Sequence, residues 1–214
     1  MKNFSFKSIL CCLVLLMPFP AFANDALFSR IEKRYREKCF SVYFQQTSVL
    51  SAMDITERAS GKVIFSHPGL MRWEYETPEP RLILTDGKKL WIYSPMEKEV
   101  LVGEAANYFG KGKGGRFLSD IASLREDFTR KEVPSIQTGF LRFRLLPKNP
   151  EPGLAEIFLE ADSETGAIGS IETVNEFGDT TRILFIGEDH HVSCEKDLFS
   201  FTTPAGVQEF PLGQ

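Results

Sequence analysis

Within short runs of this chain, apolar and polar residues alternate strictly, and this pattern limits the folds it can adopt. In the run MRWEYE, which starts at Met71, the residues Met, Trp and Tyr occupy every second position, and Arg and Glu occupy the others. Because successive side chains of a β-strand point to opposite faces, this run predicts a strand with one aromatic face and one charged face. The question it raises is whether the aromatic face covers only the protein's own core.

Similar runs recur along the chain and predict about ten or eleven short strands. Residues 51–60 are polar and predict a loop, whereas amphipathic helices are predicted over 25–38 and over 117–128. Strands in nearly continuous hairpin order favour an antiparallel sheet over βαβ units. A sheet of this size usually curls or splits into a sandwich. Because helices are available, they could cover the concave side of a curled sheet in place of a second sheet.

The N-terminal residues have the layout of a secretory signal peptide. Lys2 and Lys7 precede an apolar run, and the small-x-small pattern at 21–23 predicts cleavage after Ala23, although a short uncut anchor is the alternative. We therefore expect residues 1–23 to be removed and residues 24–214 to form one domain. That domain has 23 basic and 29 acidic residues. It lacks the basic excess of a protein that binds nucleic acid.

Few motifs point to chemistry. The run GKGKGGR lacks the Ser or Thr that follows Gly-Lys in a phosphate-binding loop, so a hinge is the better interpretation. His190 and His191 are adjacent, so on a strand they would point in opposite directions, and they fit no metal-site pattern. No G-x-S-x-G elbow is present. We expect no catalytic residues, no metal and no cofactor.

Two cysteines remain after residue 23, at Cys39 and Cys194. An exported chain meets an oxidising compartment, so these residues could form a disulfide that closes a loop of about 155 residues. Two separate buried thiols are the alternative, and the spacing alone does not decide between them.

The apolar positions of successive strands form one inward set, and any single member is most simply a core residue. Taken together, they offer more concave apolar area than two short helices can fill, so the surplus is either packed tightly or left as a cavity for an apolar ligand. The candidates for the lining of an acyl-chain cavity are Phe40, Val42, Phe44, Val63, Phe65, Met71, Trp73, Tyr75, Leu90, Ile92, Phe143, Leu145, Leu159 and Ile183.

The sequence resembles the LolA family of periplasmic outer-membrane lipoprotein carriers. The resemblance rests on FSVYFQQ from Phe40, on the long run from Gly61 through Pro95, and on FSFTTPAGV near the end; it is strong over residues 24–102 and thinner beyond. It implies a mainly β fold with some α structure: an unclosed, half β-barrel of about eleven antiparallel strands, covered by a helical lid. The predicted cleavage site has no cysteine, unlike that of the related receptor, which is itself a lipoprotein.

The resemblance also implies a function without catalysis. Such a carrier, expected to be a periplasmic monomer, takes acylated lipoproteins from an inner-membrane lipoprotein-releasing ABC transporter and delivers them to an outer-membrane lipoprotein receptor. Each buried acyl CH₂ contributes about 0.8 kcal/mol, so an acylated tail needs an apolar shelter to cross water. The residues expected on the lid side are Phe28, Ile31, Phe117, Leu118 and Ile121, with a hinge at Gly110 to Gly115.

One position departs from the family pattern. Members commonly have an Arg immediately before the Pro-Gly turn, where it latches the lid through hydrogen bonds, and this chain has His67. Histidine is shorter and mostly neutral at pH 7, so lid closure should be tuned differently. We expect His67→Leu to impair release of cargo more than uptake, and unchanged transfer to the receptor would count against a latch role.

Three alternatives compete with the carrier. A module of the same fold could bind another lipid or glycolipid, or sense mislocalised lipoproteins in an envelope-stress pathway. A lipid hydrolase would need a nucleophile motif, which the sequence lacks. An outer-membrane barrel would need longer strands with an apolar band facing outward.

Overall fold

The computed structural model describes residues 21–36, 38–66, 68–109, 116–150 and 152–213. Within these ranges, helix α1 (Ala21–Tyr35) precedes the first strand, and three helices of one turn, α2 (Ala106–Phe109), α3 (Arg116–Ser119) and α4 (Ser123–Glu126), lie between the sixth and seventh strands. Two 3₁₀ turns occur, at Ser51–Met53 and Lys196–Phe199. The strands are β1 (Cys39–Leu50), β2 (Ile55–Ser66), β3 (Leu70–Thr77), β4 (Arg81–Asp86), β5 (Lys89–Ser94), β6 (Glu99–Glu104), β7 (Phe128–Val133), β8 (Phe140–Pro147), β9 (Glu156–Asp162), β10 (Ile168–Val174), β11 (Thr180–Asp189) and β12 (Gln208–Pro211).

The strands form one open sheet in the order β12-β6-β5-β4-β3-β2-β1-β11-β10-β9-β8-β7. Two meanders, β1 to β6 and β7 to β11, meet where β1 pairs with β11 in antiparallel register. The two ends of the order, β7 and β12, are not neighbours, so the sheet is not closed into a barrel. The predicted fold class, a large open sheet with helices, is confirmed.

The last strand was not predicted. β12 pairs with β6 in parallel, with Gln208 opposite Glu99, so the sheet is mixed and has twelve strands. All four residues of β12 are exposed and only Phe210 and Pro211 are apolar, so the strand carries no alternation. The C-terminal segment leads into β12, which lies along β6.

Two other predicted elements were wrong in part. Of residues 51–60, only 51–54 form the connecting turn; β2 begins at Ile55, which lies opposite Leu50 of β1. None of the first six residues of β2 is buried, so this part of the strand carries no apolar alternation. The helix predicted over 117–128 is two one-turn helices. Asp120 accepts a hydrogen bond from the backbone N–H of Ala122 at 3.2 Å and interrupts it. Phe128 begins β7.

The first helix is displaced from its predicted range: α1 begins at Ala21 and ends at Tyr35, three residues before the expected end. None of the helices within the described ranges is long and apolar enough to cross a membrane.

The register places the apolar positions of neighbouring strands on one face, called here the inner face. Across β1 to β3, Phe40 lies opposite Phe65, and Phe65 lies opposite Met71. Across the other meander, Phe44 lies opposite Phe185, Ile183 opposite Ile171, Ile171 opposite Leu159, and Leu159 opposite Phe143. The inner face is therefore continuous from β3 to β8.

The C-terminal segment covers the outer face of β3 to β6. Phe199 is buried, and the ring centroid of Phe201 lies 5.4 Å from that of Tyr93. A guanidinium nitrogen of Arg72 donates a 3.2 Å hydrogen bond to the carbonyl of Leu198. A disulfide joins Cys39 to Cys194, with 6.0 Å between the Cα atoms, and so fastens this segment to the start of β1.

Candidate functional site

The inner face carries one packed hydrophobic cluster formed by the sheet and the helices. Of the fourteen residues predicted to line a cavity, twelve belong to this cluster or pack against it: Phe40, Val42, Phe44, Val63, Phe65, Met71, Trp73, Tyr75, Phe143, Leu145, Leu159 and Ile183. Leu90 and Ile92 face the same side, opposite Thr85 and Ile83 of β4, but lie outside the cluster of described residues.

The helices supply the other side of this cluster. Phe28, Ile31, Phe117 and Ile121, four of the five residues expected on the lid side, are buried in it, and their role as a lid stays a prediction. The predicted latch His67, the predicted hinge at 110–115 and the side chain of Leu118 lie outside the described part of the chain.

The centre of the inner face is an aromatic group built over a glycine. The Phe44 ring meets the rings of Trp73 and Tyr75 edge-on, each with 4.9 Å between centroids. Gly61 lies between Phe44 and Tyr75 in the register. A Cβ atom at Gly61 would lie 2.0 Å from the carbonyl oxygen of Glu74, so only glycine allows this pairing of β2 with β3.

The space left under the helices is small. A cavity of about 40 Å³ is lined by sheet residues that include Phe40 and Phe65 and by the lid residues Phe117 and Ile121. Because about 10–15 Å³ on this scale holds one water molecule, the cavity has room for only a few waters. An acyl chain therefore cannot enter the inner face unless the helices move away from it.

Helix α1 packs on the half of the sheet formed by β7 to β10. The Phe28 ring meets Phe143 edge-on at 5.1 Å, and the guanidinium of Arg130 lies 4.6 Å from the Phe28 ring centroid. Gly166, in the turn between β9 and β10, allows close approach: a Cβ there would lie 2.9 Å from backbone atoms of Arg30 and Ile31. The same apolar side chains that hold the helix would thus be exposed when it leaves.

A polar cluster fastens the end of α1 to β11, and we call Arg34, Tyr35, Glu188 and His190 the fastening cluster. The Tyr35 hydroxyl donates a 2.6 Å hydrogen bond to one Glu188 oxygen, and Arg34 Nη2 lies 2.7 Å from the other. The His190 ring also contacts Glu188. The backbone N–H of Ile168 donates to the Tyr35 oxygen at 2.9 Å. Burial, followed by the negative charge of Glu188, raises the pKa of Tyr35 above its ordinary value.

The fastening cluster was not among the predictions made from the sequence. Glu188 lies near the end of an alternating strand, and its neighbours His190 and His191 fit no metal-site pattern. Nothing local indicates that Arg34 and Tyr35, more than 150 residues earlier, would meet it. The sequence offers one local signal: α1 ends with the basic residue Arg34 followed by the aromatic residue Tyr35.

The helices are also joined to one another. Arg125 of α4 contacts Glu32 of α1 at 2.9 Å and donates a 3.0 Å hydrogen bond to the Ser29 hydroxyl. Arg116 of α3 contacts both Asp120 and Asp127, which ties the two short helices together. These contacts link α1 to the segment between β6 and β7.

Within the described ranges, no set of three or more His, Cys, Asp or Glu side chains could hold a metal ion. His191 is exposed, and its ring lies 3.2 Å from Asp189. The inner face itself is an aromatic and aliphatic surface covered by the helices.

Comparison with known proteins gives a consistent result. The family model for the outer membrane lipoprotein carrier protein LolA matches residues 36–202. An outer-membrane lipoprotein carrier protein of Nitrosomonas europaea is 28% identical over 97% of this chain and 98% of its own length. Another from Dechloromonas aromatica is 31% identical over 71% of each chain. An uncharacterized conserved protein of Thermus thermophilus shares the fold, with a TM-score of 0.56 at 14% identity, covering 89% of this chain and 99% of that one.

Proposed function

Because the chain belongs to the LolA family of outer membrane lipoprotein carrier proteins, we propose that it carries acylated lipoproteins and holds their acyl chains on the inner face. The observation that carries this proposal is a continuous aromatic and aliphatic face covered by small helices, with a cavity of about 40 Å³ between the two among the described residues. Such a face is closed without cargo and becomes available when the helices move.

Cargo and lid would compete for the same surface. Fully burying a Phe or Ile side chain contributes about 1.5–3 kcal/mol, and each acyl CH₂ about 0.8 kcal/mol, so roughly two to four methylenes offset one lid residue. A carrier of this kind binds its cargo with intermediate net affinity, because part of the burial energy replaces that of the lid. Intermediate affinity is what delivery requires.

The same proposal assigns the route. The protein is exported with loss of residues 1–23, works in the periplasm as a monomer without catalysing a reaction, receives cargo from an inner-membrane lipoprotein-releasing ABC transporter and passes it to an outer-membrane receptor. The family membership and the names of the relatives support the route in general terms. The residues proposed to contact acyl chains are the twelve predicted lining residues that belong to the cluster or pack against it, with Leu90 and Ile92 at its margin.

The test is to purify residues 24–214 from periplasm and identify bound molecules by native mass spectrometry. We expect an acylated lipoprotein in one-to-one ratio. A matched pair of variants localises the site: Met71→Gln changes the buried inner face, and Met96→Gln changes a side chain that is 71% exposed. Cargo should be lost from folded Met71→Gln and kept by Met96→Gln. Recovery of glycolipid in place of lipoprotein would favour a related lipid-binding module and contradict the proposal.

A further inference from the structure

A second, larger cavity lies at the other end of the inner face, beyond the aromatic group. It has a volume of about 460 Å³, more than ten times that of the cavity under the helices. We call it the polar groove. Its lining residues are Gln46, Ser48, Glu57, Arg58, Ala59, Tyr75, Pro78, Glu79, Arg81 and Ile83.

The polar groove is continuous with the hydrophobic cluster. Tyr75 and Ile83 both pack against that cluster and line the groove. Along β1, the inner positions are apolar up to Phe44 and then become polar at Gln46 and Ser48. A strand advances about 3.3 Å per residue, so the apolar stretch from Phe40 to the start of the groove at Gln46 is about 20 Å long. That length suits an extended long-chain acyl group.

Neutral hydrogen-bonding groups form the floor of the groove. The Tyr75 hydroxyl donates to Gln46 Oε1 at 3.0 Å, and Gln46 Nε2 donates to the Ser48 hydroxyl at 3.2 Å. The Ser48 hydroxyl lies 3.2 Å from that of Thr181 on β11. Burial raises the pKa of Tyr75, so the phenol stays protonated. The floor therefore offers a ligand uncharged amide and hydroxyl groups for hydrogen bonding.

The rim of the groove adds charged side chains of both signs. Arg58, Arg81, Glu57 and Glu79 are exposed, and among the described residues neither arginine forms an ion pair. Arg81 lies opposite Tyr75 in the register of β3 and β4, directly beside the floor. Guanidinium groups donate readily to carbonyl oxygens, and carboxylates accept from backbone N–H groups. A rim with both signs suits a peptide backbone better than an anion.

We propose that the polar groove binds the polar neck of acylated cargo: the ester and amide carbonyls through which the acyl chains are attached, and the first peptide units beyond them. This inference rests on the proposed function. Acyl chains held on the inner face bring their carbonyls to its end, and a carbonyl left there without a donor would oppose binding. Gln46 and Arg81 supply donors at that place, so the groove would select tails with a peptide neck over plain apolar molecules.

Two probes test this. One is a synthetic triacylated lipopeptide with a short peptide after the acylated cysteine; the other is diphenylhexatriene, an apolar fluorophore with no neck. Gln46→Leu removes a groove amide, and Gln45→Leu is its matched control, since the neighbouring residue is exposed. We expect Gln46→Leu to raise the lipopeptide Kd about tenfold, the size expected for one or two hydrogen bonds, and to leave diphenylhexatriene binding unchanged. Gln45→Leu should change neither.

The outcomes separate the two proposals. Wild-type protein that binds no lipopeptide contradicts the proposed function and, with it, the groove. Two results with wild-type protein that binds both probes would overturn the groove alone. In one, the lipopeptide Kd of Gln46→Leu equals that of Gln45→Leu. In the other, Gln46→Leu weakens the binding of both probes equally. If Gln46→Leu fails to fold, Arg81→Met decides by the same criterion, because Arg81 is exposed and its loss leaves no buried partner. We expect about threefold weaker lipopeptide binding for Arg81→Met, and an unchanged Kd would overturn the groove.

Discussion

The Tyr35 hydroxyl donates a 2.6 Å hydrogen bond to the Glu188 carboxylate and so joins the last turn of α1 to the end of β11. Glu188 also lines the small cavity under the helices. The bond therefore lies where the cover meets the inner face. Among the described residues, α1 also makes polar contacts from Arg30 to the carbonyl of Ser163 at 3.1 Å and from Arg130 to Asp25 at 3.3 Å.

Removing the charge of Glu188 should loosen the cover. Glu188→Gln leaves Arg34 and Tyr35 without their anionic acceptor, and hydrogen bonds to charged groups contribute about 1.5–3 kcal/mol, so we expect the free energy of unfolding to fall by about 1–3 kcal/mol. Diphenylhexatriene should also bind faster in stopped-flow fluorescence. The control is Asp189→Asn, which changes the exposed next residue. Equal rates in the two variants would count against fastening by Glu188.

Stability at high pH should depend on Tyr35. The pKa of Tyr35 is raised in the folded protein by burial and by Glu188. The folded state therefore holds the proton more tightly than the unfolded state, in which the pKa of tyrosine is about 10. Stability from this group is then fully present below pH 10 and is lost as pH rises above it. Denaturant unfolding between about pH 9 and 11.5 should show a shallower decline for Tyr35→Phe than for wild type. Tyr43→Phe, at an exposed position, should decline like wild type.

The approach of α1 to the sheet can be tested at Gly166. Both Gly166 and Gly153 have positive φ angles, +72° and +88°, so alanine strains both by a similar amount. Only at Gly166 would the new Cβ also meet the α1 backbone; nothing lies within 4 Å at Gly153. We expect Gly166→Ala to lower the free energy of unfolding by about 1–3 kcal/mol more than Gly153→Ala, as measured by urea titration. No difference would mean that α1 does not sit this close.

The aromatic group over Gly61 gives a further prediction. Gly61→Ala should force β2 away from β3 and lower the free energy of unfolding by about 2–3 kcal/mol, because the clash is with backbone. Gly103→Ala is the control, since its Cβ would meet only side chains, the nearest being Leu212 at 3.1 Å. Circular dichroism in the near ultraviolet, to which Trp73 and Tyr75 contribute, should change more for Gly61→Ala than for Gly103→Ala.

The disulfide between Cys39 and Cys194 should stabilise the fold. Removing a native disulfide typically costs about 2–5 kcal/mol. Reductant should lower the Tm of residues 24–214 and leave that of the Cys39→Ser, Cys194→Ser double variant unchanged. A wild-type Tm insensitive to complete reduction would show that noncovalent contacts, such as the packing of Phe199 and Phe201, suffice to hold the C-terminal segment.

The sequence predicts the sheet well and its cover less well, for physical reasons. Alternation defines β3 and most of the inner face, because half-buried strands need it. Alternation does not reveal β12, which is exposed throughout, or the first half of β2, from Ile55 to Ser60, which has no buried residue. The prediction of one helix over 117–128 is wrong because the apolar spacing does not distinguish one long helix from two short ones. The structure has two short helices separated by Asp120.

The polar contacts could not be found from the sequence at all. Glu188 meets Arg34 and Tyr35 only because β1 pairs with β11 and brings the two ends of the chain together. The hydrogen-bonded row from Tyr75 to Thr181 likewise depends on strand order. The apolar stripe of α1, with Phe28 and Ile31, could by contrast be found from helical spacing, which is local. The lid role of these residues comes from the family resemblance and stays a prediction.

On the proposed function, the helices and acyl chains occupy the same face in turn. Amide hydrogen exchange of residues 24–214, with and without the triacylated lipopeptide, reports which of the two covers it. We predict that bound lipopeptide lowers the protection of α1 and of residues 116–126, while the Phe199 segment on the outer face is unchanged. Lipopeptide that binds stoichiometrically and leaves α1 equally or better protected would contradict it.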